Sequence, residues 1–177
     1  MARYDIVPER SHVWIDARSS VHPIHTTTAG LEGFTELEIA PDGRVDLAVK
    51  PVARLSLAVE LLRSGNRLED REMRKRIDAS RYPRIEGVLV AMEPADHGGS
   101  YQVRGEIAFR GVTRPHEDQM SIEALDDRTI RLAGKSSFDV RDFGMDPPRV
   151  LMLKVEPEVE VRVEILAVRE EPGACTS

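Results

Sequence analysis

Hydrophobic and polar residues alternate with a period of two along most of this chain. In the clearest run, residues 151–165, apolar side chains occupy odd positions and charged side chains occupy nearly all the even ones. Because strand side chains point to opposite faces in turn, this run predicts a long strand with one apolar and one solvated face. Pro157 interrupts the run, and we expect a bulge, an edge or a break there because proline cannot donate to a ladder.

The same alternation predicts further strands over residues 44–50, 55–61, 101–109, 119–124 and 130–140. Residues 85–92 are apolar on both faces, which predicts a strand with little solvent exposure. Turn signals separate the runs at Pro41-Asp42-Gly43, at 97–100 and at Asp126-Asp127. Strands that follow one another through short loops pair antiparallel.

One segment departs from the strand pattern and predicts a helix over about residues 68–78. Asn66 is a good N-cap residue, and Glu69 stands at the N3 position. Helical spacing places Asp70 and Arg74 on one face, where they could brace one end of a sheet. Most of the remaining helix positions are charged and predict a solvated surface.

About eight to ten strands with one apolar face each predict an all-β domain that hides those faces in a closed antiparallel, up-and-down barrel. We assign residues 1–170 to this single domain and residues 171–177 to a disordered tail. A barrel of about eight strands can hold one small ligand among inward Val, Leu and Ile side chains. The alternative is that these side chains pack together and leave no cavity.

Composition and charge exclude several partners. The 177 residues carry a net charge of −6 and contain only one Trp, three Tyr and four Phe, which disfavours binding to nucleic acid or to anionic lipid. No apolar run is long enough to span a bilayer, and we expect no stable membrane insertion. The single cysteine, Cys175, allows no intrachain disulfide. With no apolar leader segment at the amino terminus, the sequence predicts a cytoplasmic protein.

Five motifs in order resemble the YceI-like family of lipocalin-like, polyisoprenoid-binding proteins. They are Trp14-Ile15-Asp16-Ala17-Arg18-Ser19 with Gly33-Phe34, the segment from Asn66 to Arg74, Tyr82-Pro83, the block from Gly105 to Pro115, and Phe138 with Asp142-Phe143-Gly144. The resemblance implies an extended eight-stranded antiparallel barrel with a helix near one end and a tunnel for an isoprenoid or similar amphiphile. The chain departs from the family at Arg18, at Glu69 and at residues 22–25, which changes the charges near the expected mouth.

From the strand pattern and the resemblance we predict the residues that contact a ligand. The set combines rings, inward aliphatic residues and charges near the mouth: Trp14, Arg18, Phe34, Leu57, Val59, Asp70, Phe109, Arg110, Ile122, Phe138, Phe143, Leu151 and Leu153. For each ring, plain core packing is the alternative. Arg18 and Arg110 could instead pair with Asp16, Glu69 or Asp70, because an unpaired buried guanidinium is costly.

Other chemistry finds weaker support in the sequence. A metal site at His22 and His25 is less favoured, because a spacing of three places them on opposite faces of a strand and no cysteine or carboxylate cluster completes the ligands. A haem held by a barrel histidine is less favoured still. His12, Asp16 and Ser19 lack the Gly-x-Ser-x-Gly context of a serine hydrolase, and Asp142-Phe143-Gly144 lacks the other kinase motifs. We therefore predict no catalytic residue, no metal and no cofactor.

The sequence favours a non-enzymatic carrier or sequestering protein for an apolar, chain-like amphiphile such as an isoprenoid or lipid. The alternative is a barrel with a filled core that acts as a structural or protein-interaction domain. A small-molecule hydrolase or a haem- or metal-binding barrel fits less well. The sequence leaves a homodimer open.

Overall fold

The computed structural model describes residues 1–147, 149–150 and 152–169. Leu151, Cys175 and the tail predicted over 171–177 lie outside the described residues.

The described residues form eleven strands, one α-helix and three short 3-10 turns. The strands are β1 (Ala2–Ile6), β2 (His12–Ser19), β3 (Ile24–Ala29), β4 (Glu32–Leu37), β5 (Val52–Ala58), β6 (Arg84–Pro94), β7 (Ser100–Phe109), β8 (Val112–Ala124), β9 (Thr129–Asp139), β10 (Arg149–Val150) and β11 (Leu153–Arg169). The helix is α1 (Arg67–Ile77), and the 3-10 turns span Pro8–Arg10, Val59–Leu61 and Val140–Phe143.

Eight of the strands close into an antiparallel barrel in the order β1-β4-β5-β6-β7-β8-β9-β11, with β11 pairing back to β1. The β2–β3 hairpin joins the wall beside β11, which pairs first with β2 and then, through Ala167 to Arg169, with β1. A closed barrel buries the apolar strand faces and removes the free sheet edges. The predicted all-β barrel is therefore confirmed.

The helix begins and ends within one residue of the prediction. The side chain of Asn66 accepts hydrogen bonds from the backbone N–H groups of Leu68 (3.0 Å) and Glu69 (3.4 Å). At the other end Asp78 adopts a left-handed conformation with φ 58°, which terminates the helix. Because α1 packs near β10, it lies at the barrel end where β11 begins. We call this the helix end. None of the described helices is long and apolar enough to cross a membrane.

The predicted bulge at Pro157 is present. Val155 faces Ser19 of β2, but Val159 faces Ala17, so β11 contains two more residues than its partner between these pairs. Odd-numbered side chains point inward on both sides of the bulge, from Leu153 to Ile165.

The strand predicted over 44–50 is wrong, because this segment is a loop that folds back over the barrel. Asp46 accepts a hydrogen bond from the N–H of Ala48 (2.9 Å), which is the geometry of a turn. Val45 forms an isolated bridge to Ile39, and its N–H donates to the buried hydroxyl of Tyr101 (2.8 Å). The alternation in this segment reflects a loop with one side buried.

The low exposure predicted for residues 85–92 is also wrong. Val88 and Val90, on the outer face of β6, are 39% and 45% exposed. The barrel has a single wall, and no other layer covers this face of β6 among the described residues. Ile85, Gly87 and Leu89 point inward.

A packed layer closes the barrel at the end opposite α1. It consists of buried side chains, none of which lines the cavity described below: Tyr4, Leu37, Val45, Tyr101, Ile122, Ile130 and Ala167. Strand register places Ile130 of this layer opposite Ala167. Burial raises the pKa of the Tyr4 hydroxyl, as expected for a phenol in an apolar environment.

Candidate functional site

A cavity of about 410 Å³ occupies the barrel between α1 and the packed layer. Every strand of the closed ring contributes to its wall, and so do the β2–β3 hairpin and α1. The wall is mainly aliphatic and includes Ile15, Leu55, Ile85, Ile107, Val161 and Val163. A volume of this size is typical of small-molecule sites.

The cavity exists because many inward-facing positions carry small side chains. Ala17, Ala53, Gly87 and Gly134 all line it, from β2, β5, β6 and β9. A Cβ atom added at Gly87 would lie 3.5 Å from Ile107 Cδ1, so an alanine would fit but would narrow the cavity. These strands therefore enclose space that their inward side chains do not fill.

Aromatic rings line the cavity toward the helix end. Phe109 and Phe143 meet edge to face with ring centroids 5.5 Å apart, a favourable arrangement for an aromatic pair. Phe138 stacks on the ring of His116 at 4.2 Å. All three phenylalanines contribute to the apolar wall.

The structure brings six of the predicted ligand contacts together around the cavity. They are Leu57, Asp70, Phe109, Phe138, Phe143 and Leu153. Val59 and Ile122 are buried but do not line the cavity, because Val59 lies in a 3-10 turn and Ile122 belongs to the packed layer. Leu151 lies outside the described residues.

Trp14 and Phe34 lie on the outer face of the barrel rather than on the cavity wall. The Arg162 guanidinium lies 4.3 Å from the centroid of the Trp14 ring, and His12 stacks on the same ring. The Arg3 guanidinium lies 3.8 Å from the centroid of Phe34. Both rings are held by cations on the surface, at distances suited to cation–π attraction.

Asp70 connects the cavity wall to the segment before α1. Its Oδ1 accepts hydrogen bonds from both the backbone N–H and the hydroxyl of Ser64, each at 2.7 Å, and the residue is 5% exposed. Arg74, one turn further along, donates to the carbonyl oxygen of Glu60 (3.4 Å). The two residues therefore hold the segment 60–64 against the helix at this end of the barrel.

Neither predicted arginine reaches the cavity. Arg18 is exposed on the outer face of β2 and forms no hydrogen bond or ion pair within the described part of the chain. Arg110 donates from Nε to the carbonyl oxygen of Arg76 (3.0 Å) and from a terminal nitrogen to that of Gly144. Arg110 therefore joins the end of α1 to the turn after β9. Its guanidinium donates to backbone carbonyl oxygens rather than to a carboxylate.

A polar cluster in the cavity wall was not predicted from the sequence. It consists of His116 and Asp118 from β8 and Ser136 from β9, all of which line the cavity. The Ser136 hydroxyl donates to Asp118 Oδ2, and His116 Nε2 lies 3.1 Å from Ser136 Oγ. The signal was present in the strand parity, since His116 and Asp118 share a face with Met120 and Ile122. We call these three residues the polar cluster.

The polar cluster contains the residue types of a serine hydrolase in a different arrangement. In a catalytic triad the carboxylate binds the histidine Nδ1 and the histidine accepts the serine proton. Here the carboxylate binds the serine hydroxyl directly, and it lies 4.0 Å from His116 Nε2. The geometry suits a hydrogen-bonding surface better than an activated nucleophile.

His22 and His25, the two histidines considered as metal ligands in the sequence, each contact one carboxylate near the helix end. His25 Nδ1 lies 2.6 Å from Asp16 Oδ1, and His22 Nε2 lies 3.6 Å from Glu69 Oε1. Within the described residues, no group of three metal-ligating side chains converges.

Comparison with known proteins agrees with this architecture. The family model of the YceI-like domain matches residues 4–167. Among solved structures, BcnA of Burkholderia cenocepacia has a TM-score of 0.74 at 16% identity, over 92% of this chain and 99% of its own.

Two further solved structures share the fold at low sequence identity. A polyisoprenoid binding domain from Saccharophagus degradans, implicated in plant cell wall breakdown, has a TM-score of 0.74 at 13% identity, over 96% of this chain and 100% of its own. A Campylobacter jejuni YCEI protein has a TM-score of 0.63 at 13% identity, over 82% and 85%. None of the curated proteins matches the chain significantly. Because the family model covers nearly the whole barrel, the chain belongs to the YceI-like family.

Proposed function

We propose that this protein binds an apolar, chain-like molecule of the isoprenoid class inside its barrel and carries or sequesters it. The observation that carries the proposal is the cavity of about 410 Å³ with a mainly aliphatic wall. The similarity in fold to the polyisoprenoid binding domain from Saccharophagus degradans supports the same ligand class.

Burial of the ligand supplies the binding energy in this proposal. Each methylene transferred from water into the cavity contributes about 0.8 kcal/mol. A chain of about ten carbons then gains enough to exceed the cost of losing its freedom on binding. Phe109, Phe138 and Phe143 add large apolar contacts toward the helix end. No bond to the ligand needs to form or break, and the protein acts without catalysis.

The test is extraction of the purified chain with organic solvent, followed by mass spectrometry of the extract. We expect a lipid-like species at close to one molecule per chain. The control is an extract of an unrelated protein purified from the same cells in the same way. A chain that is ligand-free after purification and also fails to bind an added isoprenoid alcohol contradicts the proposal.

The alternatives raised by the sequence fit the structure less well. A protein-interaction barrel with a filled core is disfavoured because the inward side chains leave a cavity. A hydrolase is disfavoured by the arrangement of the polar cluster. The cytoplasmic location and the homodimer remain predictions, which cell fractionation and light scattering of the purified protein respectively test.

A further inference from the structure

The polar cluster lies where the backbone pairing between two neighbouring strands of the barrel ends. Backbone pairing between β8 and β9, both fully described, runs from Ala124 opposite Ile130 to Met120 opposite Gly134 and then stops. Continuing this register places Asp118 opposite Ser136, and His116 opposite Phe138. Side chains therefore take over where backbone hydrogen bonds end, with Asp118 bonded to Ser136 and His116 stacked on Phe138.

The polar cluster has hydrogen-bonding groups that its internal contacts leave free. The Ser136 hydroxyl donates its hydrogen bond to Asp118, so the bond between Ser136 and His116 must be donated by His116 Nε2. In a neutral imidazole ring, Nδ1 is then a hydrogen-bond acceptor. Asp118 Oδ1 accepts from the Gln119 N–H at 2.7 Å, and each carboxylate oxygen can accept a second bond. The groups of the polar cluster that are still free can therefore accept hydrogen bonds.

Charge around the cavity points in the same direction. Among the charged residues of the described lining, the carboxylates Glu69, Asp70 and Asp118 are the less exposed ones, whereas Glu86, Glu156 and Arg104 lie at exposed positions on the outer face. Like charges repel strongly where water is scarce, and moving a phosphate or carboxylate into such a place is costly. An uncharged group that donates a hydrogen bond meets no such penalty.

We propose that His116, Asp118 and Ser136 form a polar subsite that selects ligands with an uncharged hydroxyl group over phosphorylated or carboxylated ones. This inference rests on the proposed function and specifies its ligand class. An aliphatic wall holds the chain of the ligand, while Asp118 accepts a hydrogen bond from the ligand hydroxyl. A buried acceptor that the wrong ligand leaves unpaired gives discrimination as well as affinity.

The test compares three ligands with the same chain: farnesol, its methyl ether and farnesyl monophosphate. The chain is freed of lipid by unfolding and solvent extraction, then refolded, and the affinities are measured by calorimetry. We expect farnesol to bind about tenfold more tightly than the ether, as one hydrogen bond to a charged group implies, and the phosphate to bind most weakly.

Two variants with matched controls connect that preference to the polar cluster. In Asp118→Asn we expect the farnesol advantage to fall to less than about threefold and the phosphate to gain about tenfold, while the ether affinity stays unchanged. Ser136→Ala should also reduce the advantage. Glu117→Gln and Ser137→Ala, one residue away on the exposed outer face, should behave as the unmodified chain.

The outcomes separate the two proposals. If the unmodified chain binds farnesol and its ether equally, or if Asp118→Asn and Ser136→Ala keep the full farnesol preference, the polar subsite is wrong and the proposed function stands. If none of the three ligands binds, both are wrong. The ether affinity of each variant also reports whether its cavity is intact, because the ether needs only the aliphatic wall.

Discussion

The two ends of the barrel are built from the same alternating strands and are filled differently. In the packed layer Leu37 is 0% exposed and Ile130 is 1% exposed, and neither lines the cavity. Toward the helix end, Ile15 and Val161 also point inward but remain only half-buried, because they face the cavity. The direction of a side chain is thus the same at both ends, and only its surroundings differ.

The difference shows that alternation determines which face lies inside, while side-chain size and the loops determine whether the inside is filled. At the packed end, the loop after β4 folds back and inserts Val45, which is hydrogen-bonded to Tyr101. Toward the helix end, small residues such as Ala17 and Gly87 occupy positions on the inner face. One end can therefore stabilise the barrel while the other is free to bind.

The largest expected effect distinguishes the two ends by stability. Ile130→Ala should lower the free energy of unfolding by about 2–5 kcal/mol, because it leaves a new hole in close-packed surroundings. Ile15→Ala should lower it by less than about half as much, because its side chain already borders a cavity. Urea denaturation of both variants measures the difference. Equal losses would mean that the two ends are packed alike.

Filling the cavity should separate binding from folding. Val161→Trp places a large ring in the space that a ligand needs, and we expect the affinity for an isoprenoid alcohol to fall at least about tenfold. The free energy of unfolding should change by less than about 1 kcal/mol, since the ring occupies existing space. The matched variant Ile122→Trp overfills the packed layer and should cost about 1–3 kcal/mol. Unimpaired binding by Val161→Trp would place the ligand elsewhere.

Rings on the two faces of the wall should respond differently to truncation. Phe138→Ala removes part of the cavity wall, and we expect severalfold weaker ligand binding. Trp14→Ala removes a ring from the outer face, where it contacts Arg162 and His12. It should cost about 1 kcal/mol of stability and leave the affinity unchanged. Calorimetric titration of both variants checks this, and weaker binding by Trp14→Ala would contradict the assignment.

The smallest expected effect concerns the ion pair between Asp139 and Arg141, toward the helix end. Hydrogen bonds from Arg141 lower the pKa of Asp139, whose side chain caps the turn Val140–Phe143. A lowered pKa in the folded state contributes stability above the pKa of the unfolded chain, and that contribution disappears as the pH falls through the folded value. Asp139→Asn keeps a capping side chain but loses the charge. The variant should therefore be slightly less stable than the unmodified chain at neutral pH and equally stable in acid. Urea denaturation of both proteins at several pH values measures this.

Much of this fold follows from the sequence because strand alternation is a local property. The long run in β11, the bulge at Pro157 and the helix capped by Asn66 all depend on neighbouring residues, and all three predictions are confirmed. The segment 44–50 shows the limit of the method. A loop that packs one side against a barrel end alternates like a strand, and only its tertiary contacts tell the two apart.

The candidate site was harder to predict than the fold. Trp14 was selected as a large ring near the start of a family motif, but in β2 it alternates with the inward Val13, Ile15 and Ala17, so parity places it outside. Conversely, strand parity places His116 on the inner face of β8, but His116 and Ser136 are polar and were not selected among the apolar contacts. Their proximity depends on the register between β8 and β9, which the sequence of one strand does not contain.

The most direct test of a hollow, ligand-binding barrel is the heat-capacity change when the lipid-free chain binds farnesol, measured by calorimetry at several temperatures. Removing apolar surface from water makes this change negative. We expect a clearly negative value with one farnesol per chain, and loss of that signal in Val161→Trp. A value near zero, or a signal that Val161→Trp leaves intact, would contradict burial of the ligand inside the barrel.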